Sequence, residues 1–477
     1  MTQLNPADES FLARLAADLP DTVLSEAEPR YLSEPRGLYH GQAGALARPR
    51  NTEEVATLVR HAAAARVPVV PYGGGTGLVG GQVAWDGPAP LVISLERMTA
   101  TRGLDPLAGT LTVEAGAILA DVQTAAEDAG KLFPLSLASE GSARIGGLLS
   151  TNAGGVNVLR YGMTRELVLG LEVVLPDGSI LNGLSTLRKD NRGIDLKQLF
   201  IGAEGTLGII TAVSVKLTPY PDQVATALLG LASLEDAITL YRRARRDCCD
   251  LMSAFEFMPP LALTLAREAI PDLPLPMSGD YPAYVLMEIS GCGLVDIQDL
   301  MERFLEGVME DGLVLDGTLA SSQAQAKNLW LIREGMNEGQ AKRGAHMRSD
   351  VSVPLSKLPA FVHDAEQAIH AALPDCICVS YGHVGDGNVH LNCLPPSDLS
   401  AAEKAERIYR SKTVLNEVVD QYAGSISAEH GIGRLKQMDF DTRLPEVKRR
   451  LLTAIKRAID PDLVMNPGCQ LNLSAES

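Results

Sequence analysis

Apolar residues recur at helical spacing at Val55, Leu58, Val59 and Ala62, with Thr52 ahead of them as a possible cap. A helix is predicted to open at residues 51–54. The period then shortens, and residues 67–71, 91–95 and 109–113 read as strands, with a helix over 118–128. Residues 167–175 and 179–181 flank a Pro176-Asp177-Gly178 turn and form a hairpin. A short helix at 195–200 and a strand at 209–217 follow. Thr218-Pro219-Tyr220-Pro221 interrupts the pattern and marks a domain boundary. Beyond it, strand–helix–strand occurs twice, at 225–231, 233–246 and 253–258, then at 283–289, 295–309 and 313–315. Such tandem units predict a sheet of the split-βαβ kind. A long helix over 323–343 places Trp330, Arg333 and Asn337 on one face. A strand within 346–354 and helices over 402–421 and 446–459 complete the series, the last stopped by Asp460-Pro461. Residues 1–50 carry no period and are expected to be irregular.

Composition narrows the possibilities. A chain of 477 residues has room for two or three domains. Its formal charge of −17 argues against nucleic acid or an anionic membrane as partner, and any anionic substrate must be met by local arginines. No apolar run reaches transmembrane length, and the first residues lack the pattern of a signal peptide. Seven scattered cysteines suggest a reducing compartment, taken here as the cytoplasm.

The densest candidate chemistry lies in Tyr381-Gly382-His383-Val384-Gly385-Asp386-Gly387-Asn388-Val389-His390-Leu391-Asn392. Asp386-Gly387 is a strong signal for a two-residue type I′ turn, which needs positive φ at both central positions. With that turn His383 faces His390, and directly opposed residues share a face with Cβ atoms about 5 Å apart. Two such imidazoles can share a metal ion. Asn392, two residues on, shares the face. Glu429, in the segment from Ser425 to Gly433, is a candidate third ligand. Two imidazoles and a carboxylate leave an open coordination position, as catalytic metals require. A pair of histidines packed on a sheet is the plainer alternative. Three of the eight histidines fall in these two glycine-rich segments, which favours a site.

Two further segments are rich in glycine. Residues 73–81 hold six glycines in nine. Gly75-x-Gly77-x-x-Gly80 matches the dinucleotide fingerprint, but that fingerprint must open a helix. Here Gly81, Gly87, Pro88 and Pro90 follow without a helical period, so the run is a loop. Its N–H groups could form a nest for a diphosphate. In residues 134–155, Ser142 reads as the cap of a short helix that contains Gly146 and Gly147. Each glycine inside a helix costs ~1 kcal/mol relative to alanine. Either a planar cofactor or a close helix–sheet contact must need the space.

These segments, with Thr151-Asn152-Ala153-Gly154-Gly155, Arg160-Tyr161-Gly162, the run from Gly202 to Gly208, Ser427-Ala428-Glu429-His430-Gly431 and Asn466-Pro467-Gly468, resemble the vanillyl-alcohol-oxidase/p-cresol-methylhydroxylase type of FAD enzymes. Arg188 to Asn191, Leu196 to Gly202 and Leu251 to Met258 resemble its D-2-hydroxyglutarate dehydrogenase branch. The resemblance runs from about residue 40 to the end.

It implies an α+β fold. A two-part FAD-binding domain spans 1–219. A substrate and metal domain, an antiparallel sheet flanked by helices, spans 220–424. A C-terminal helical segment at 425–477 completes both. Pro71, Gly73, Gly74, Gly75, Thr76, Gly77 and Gln82 would cradle the FAD diphosphate. Pro134, Leu135, Gly141, Ser142, Gly146, Gly147, Thr151, Asn152, Gly154, Gly155, Arg160, Tyr161, Gly162, Glu204, Gly205, Gly208, Ile209, Ile210 and Asn466 would line the rest of the cofactor. No histidine occurs between His61 and His346, so non-covalent FAD is expected. By the same resemblance His383, His390 and Glu429 hold a divalent metal, His430 is the base, Asn392 is a polar contact and Arg333 binds a substrate carboxylate. Two positions depart: the family's threonine is Asn337 here and its lysine is Arg348.

The implied reaction is oxidation of a D-2-hydroxy acid, D-2-hydroxyglutarate or D-malate, to the 2-oxo acid. The electrons would go to an electron-transfer flavoprotein or a quinone, and a homodimer is compatible with the chain. The ligand set suits zinc and would also accept manganese or cobalt. Oxidation of D-lactate or glycolate as a flavoprotein subunit is the alternative. A non-redox alkyl transfer ranks behind it.

Overall fold

Leu91-Val92-Ile93 is an apolar run without alternation, the pattern of a strand covered on both faces. Strand Leu91–Ser94 is buried throughout, between parallel neighbours Ala45–Ala47 and Val69–Tyr72. The computed structural model describes residues 3–37, 39–277, 279–471 and 473. It divides into two compact units. One comprises the described residues of 1–155, 162–220 and 429–477; the other comprises 156–161 and 221–428.

In the first unit, Leu24–Ser25 extends the parallel strands into a four-stranded sheet. A second, five-stranded antiparallel sheet runs in the order Thr101–Asp105, Thr110–Glu114, Ile209–Lys216, Val168–Val174, Ile180–Gly183. Its centre carries a buried charge. Glu172 accepts from Thr52 Oγ1 at 2.6 Å, Thr211 Oγ1 at 2.9 Å and Arg102 Nη1 at 3.0 Å. That use of Thr52 corrects an expectation: helix Thr52–Ala65 is capped by Asn51, whose side chain accepts from the Glu54 N–H at 2.8 Å. Nor are the described residues of the first fifty irregular throughout. Asp8 caps a helix at Glu9–Ala16 that buries Phe11 and Leu15.

The second unit is built on a seven-stranded, wholly antiparallel sheet. Its order is Asp316–Leu319, Gln223–Leu231, Ala283–Gly291, Met252–Met258, Ile377–His383, Asn388–Leu394, Val351–Ser352. Helices Leu234–Asp247, Ile297–Glu310 and Leu358–Ala372 supply apolar side chains to one large core cluster. Ala262–Ala269 and Gln323–Lys342 build a second. The strand expected at 313–315 lies at Asp316–Leu319 instead. Leu358, Phe361, Val362, Ala365 and Ile369 form a clear helical stripe that the reading of the sequence passed over. Among the described residues, no helix is long and apolar enough to cross a membrane.

The histidine hairpin differs from its prediction in an instructive way. Val384–Asp386 forms a 3₁₀ turn closed by Gly387 at φ +83°, so the connection is longer than two residues. Tyr381, not His383, therefore stands opposite His390. The register has slipped by two residues. A slip of one would have turned every side chain to the other face, whereas a slip of two preserves the face.

Candidate functional site: a flavin cavity and an arginine–histidine cluster

The glycine loop after strand Val69–Tyr72 has no helix following it, and it forms one wall of a cavity in the first unit. Of the predicted cofactor residues, Pro71, Gly73, Gly74, Gly75, Thr76, Gly77, Gln82, Gly146, Gly147, Thr151, Glu204, Gly205, Gly208, Ile209, Ile210 and Asn466 line it. Tyr72 and Arg144 also line it and were not foreseen. Glycine is required where the walls meet. A Cβ on Gly73 would lie 3.3 Å from the Gly147 Cα, and one on Gly74 only 2.2 Å from the Ser142 carbonyl oxygen.

The two helical glycines serve different needs. A Cβ on Gly146 would collide with the Ala115 Cβ at 2.8 Å, so Gly146 permits a close helix–sheet contact. On Gly147 a Cβ would meet only the Gly73 Cα, at 3.9 Å, and would otherwise project at the cavity. This cradle of bare backbone suits a flat, diphosphate-bearing ligand.

Other predicted residues play supporting parts. Helix Ile145–Thr151 starts after Arg144, whose backbone is extended, and not after Ser142; the Ser142 hydroxyl donates to the Ser139 carbonyl within a turn. Asn152 ends that helix in the left-handed region at φ +50° and accepts from the Arg165 N–H at 2.9 Å. Pro134, Leu135, Gly141, Gly154, Gly155 and Gly162 belong to the first unit but are not among the described residues that line the cavity. Arg160 and Tyr161 fall in the second unit, where Arg160 donates to the Ser290 carbonyl and hydroxyl at 2.7 and 2.6 Å. Glu204 is a brace. Its carboxylate accepts the N–H groups of Ile432 and Gly433 at 2.8 and 2.7 Å, and burial pushes its pKa up. Asn466 donates to the Gly81 and Glu204 carbonyls, tying the glycine loop to the C-terminal segment. Glu429 and His430 begin that segment.

In the second unit one helix organises a polar cluster. Along Gln323–Lys342, Trp330 donates to Glu288 at 3.0 Å and Arg333 to Glu256 at 2.8 Å. Asn337 accepts from the Tyr381 hydroxyl at 2.5 Å, and Gln340 accepts from Asn392 at 2.9 Å. The four partners stand on four successive strands of the sheet. Ten helical residues rise about 15 Å, and four strands at roughly 4.8 Å spacing span nearly the same distance. The helix thus crosses the strands and reads one polar residue from each.

Glu256 is the hub. It is 1% exposed in an apolar strand, directly opposite His383 on the neighbouring strand. One carboxylate oxygen accepts from His383 Nδ1 at 2.6 Å and the other from Arg333 Nε at 2.8 Å. Burial works to raise its pKa, but the charge of Arg333 and the hydrogen bonds from His383 and Arg333 hold it below the ordinary range. The Arg333 guanidinium also lies 4.8 Å over the Tyr381 ring. His390 directs Nδ1 at the Ser349 carbonyl at 3.1 Å. The two imidazole centroids are 5.9 Å apart. Acceptors on both Nδ1 atoms favour the tautomer that keeps the lone pair on Nε2, the arrangement that supports metal-ligating histidines. Arg348 Nε donates to His346 Nε2 at 3.1 Å. Glu256 escaped the sequence reading, although a single carboxylate within Met-Ser-Ala-Phe-Glu-Phe-Met signals a buried charge that must have partners.

Fold and cavity define a flavoprotein of the FAD-linked oxidase class. Residues 43–183 match the family model described as FAD binding domain, and residues 220–469 match FAD linked oxidases, C-terminal domain. The structure of p-cresol methylhydroxylase with substrate bound superposes with a TM-score of 0.76, covering 99% of this chain and 100% of that one at 16% identity, a likeness of fold. D-2-hydroxyglutarate dehydrogenase, mitochondrial, of Danio rerio is 39% identical over 90% of this chain and 78% of its own length. The Bos taurus protein of the same name is 38% identical over 96% and 83%. The chain belongs to this family of FAD-dependent oxidoreductases.

These relatives also overturn one expectation. They are named mitochondrial, so the expectation of a cytoplasmic enzyme does not stand. The inference from cysteines could not make that distinction: all seven are unpaired thiols, and such thiols fit any reducing compartment.

Proposed function

We propose that this enzyme oxidises a D-2-hydroxy dicarboxylate, D-2-hydroxyglutarate or D-malate, to the 2-oxo acid. The observation that carries the reading is the shared sheet face of His383 and His390, each with Nδ1 engaged, next to the buried Arg333. Arg333 is held through Nε, which leaves its Nη edge for a substrate carboxylate, and charge-assisted pairs of this kind are the strong ones. Arg348 takes the second carboxylate. As an arginine where the family has lysine, it binds as a fork and not as a point charge.

The family resemblance assigns Glu429 as the third metal ligand beside the two imidazoles, zinc being the best match, and His430 as general base for the hydroxyl proton. When bound, FAD accepts the hydride and a divalent ion polarises the alcohol oxygen. Asn392 and Asn337 keep the polar wall around Tyr381 in place. An electron-transfer flavoprotein or a quinone receives the electrons. The shared name of the relatives favours D-2-hydroxyglutarate as substrate.

Anaerobic mixing with a panel of D- and L-2-hydroxy acids tests the reading. D-2-hydroxyglutarate or D-malate should bleach the flavin fastest and the L-enantiomers should not. Faster bleaching by D-lactate or glycolate would move the assignment to monocarboxylates. Failure of every acid to bleach it would exclude a 2-hydroxy acid dehydrogenase.

A further inference from the structure

Glu256 holds a proposed metal ligand, His383, on one carboxylate oxygen and the proposed substrate arginine, Arg333, on the other, at 2.6 and 2.8 Å. All three side chains are buried or nearly so, at 1% for Glu256, 9% for Arg333 and 11% for His383. Neither donor can move independently. A rotation of the carboxylate that lengthens one bond displaces the other. The strand gives no slack, because Met252–Met258 is buried along its whole length and Glu256 is fixed opposite His383 by the ladder. Tyr381 closes the other side of Arg333 with its ring.

We infer that Glu256 is a positioning residue that couples metal affinity to recognition of the substrate carboxylate. This rests on the proposed roles of His383, His390 and Arg333. Glu256 makes no contact with the reacting atoms itself. It sets the orientation of the His383 ring through Nδ1, and the same carboxylate fixes the plane of the Arg333 fork. Loss of a buried partner behind a ligating histidine typically weakens metal binding 10- to 100-fold. Because both oxygens are in use, glutamine cannot replace glutamate: its amide oxygen can accept from one donor, while its NH₂ confronts the other.

The test uses the full-length, FAD-loaded protein, stripped of metal and titrated with Zn²⁺ against a chromophoric chelator. Steady-state kinetics with D-2-hydroxyglutarate run in parallel. Glu256→Gln should weaken the Zn²⁺ Kd about 10- to 100-fold and raise KM together, with the flavin still bound. A wild-type Kd in Glu256→Gln, with weakened binding in His383→Ala and His390→Ala, overturns the inference and leaves the metal reading intact. A wild-type Kd in all three variants overturns both. A lowered melting temperature with unchanged Kd and KM would mark Glu256 as structural only. Should Glu256→Gln fail to fold, Arg333→Gln serves instead: it alters no proposed ligand, yet should weaken the Zn²⁺ Kd through Glu256. An unchanged Kd there counts against the coupling.

Discussion

Tyr381 stands directly opposite His390, with ring centroids 5.3 Å apart, and His383 sits one step along the same face. The two histidines are therefore diagonal neighbours, reached across a tyrosine whose hydroxyl is bound to Asn337 and Asn392. Tyr381 buttresses both the imidazole and the guanidinium above it.

From this arrangement His383→Ala and His390→Ala should each abolish turnover while FAD stays bound, since the flavin cavity of the first unit contains neither residue. Chelator treatment should have the same effect on the wild type. Unchanged rates in both variants and after chelation would reduce the pair to packed histidines.

Gly147 and Gly146 offer a contrast between function and folding. Gly147→Ala should cost FAD affinity and leave the melting temperature near that of the wild-type apoprotein, because the new methyl meets only the Gly73 Cα, at 3.9 Å, and otherwise projects at the cavity. Gly146→Val should lower the melting temperature instead, by overpacking against Ala115 at a cost of about 1–3 kcal/mol. Apoprotein melting and flavin titration separate the two. The bound flavin itself should be released intact by acid precipitation, and flavin remaining in the pellet would disprove non-covalent attachment.

The arginines should separate by substrate. Arg333→Ala leaves a bound substrate carboxylate without its cation; losing one partner of a buried charged pair typically costs ~3–5 kcal/mol, so kcat/KM should fall roughly a hundred- to several-thousand-fold for every 2-hydroxy acid. Arg348→Ala should hurt D-2-hydroxyglutarate far more than D-lactate, because only the former has a second carboxylate to lose. Equal losses for both substrates would favour the monocarboxylate reading.

Glu172 should give a pH-dependent contribution to stability. Burial raises its pKa, but hydrogen bonds from Thr52 and Thr211 and the charge of Arg102 hold it below the ordinary 4.5. A carboxylate with a depressed folded-state pKa stabilises above its unfolded value, and that contribution is lost as pH falls through the folded value. The melting-temperature gap between wild type and Glu172→Gln should thus be full above about pH 4.5 and close progressively below it. A gap that widens on acidification would show that the carboxylate is not the stabilising form.

The sequence alone determined what depends on short-range rules. Helical stripes placed Leu234–Asp247, Gln323–Lys342 and Glu446–Ile459 to within a residue or so. The glycines and prolines after Gly75 excluded a dinucleotide-binding helix, and two-residue alternation kept His383, His390 and Asn392 on one face even though the turn was misjudged. Tertiary structure decided what depends on partners distant in the chain. The ladder fixed the register that put Tyr381, and not His383, opposite His390. Sheet order set Glu256 beside His383 across 127 positions of sequence and beneath Arg333 across 77. Asn51 displaced Thr52 as a cap because a buried carboxylate 120 residues away claimed the threonine hydroxyl. Local propensity is worth only tenths of a kcal/mol per residue, whereas leaving a buried charge unpaired costs several. At each of these points the long-range partner prevailed.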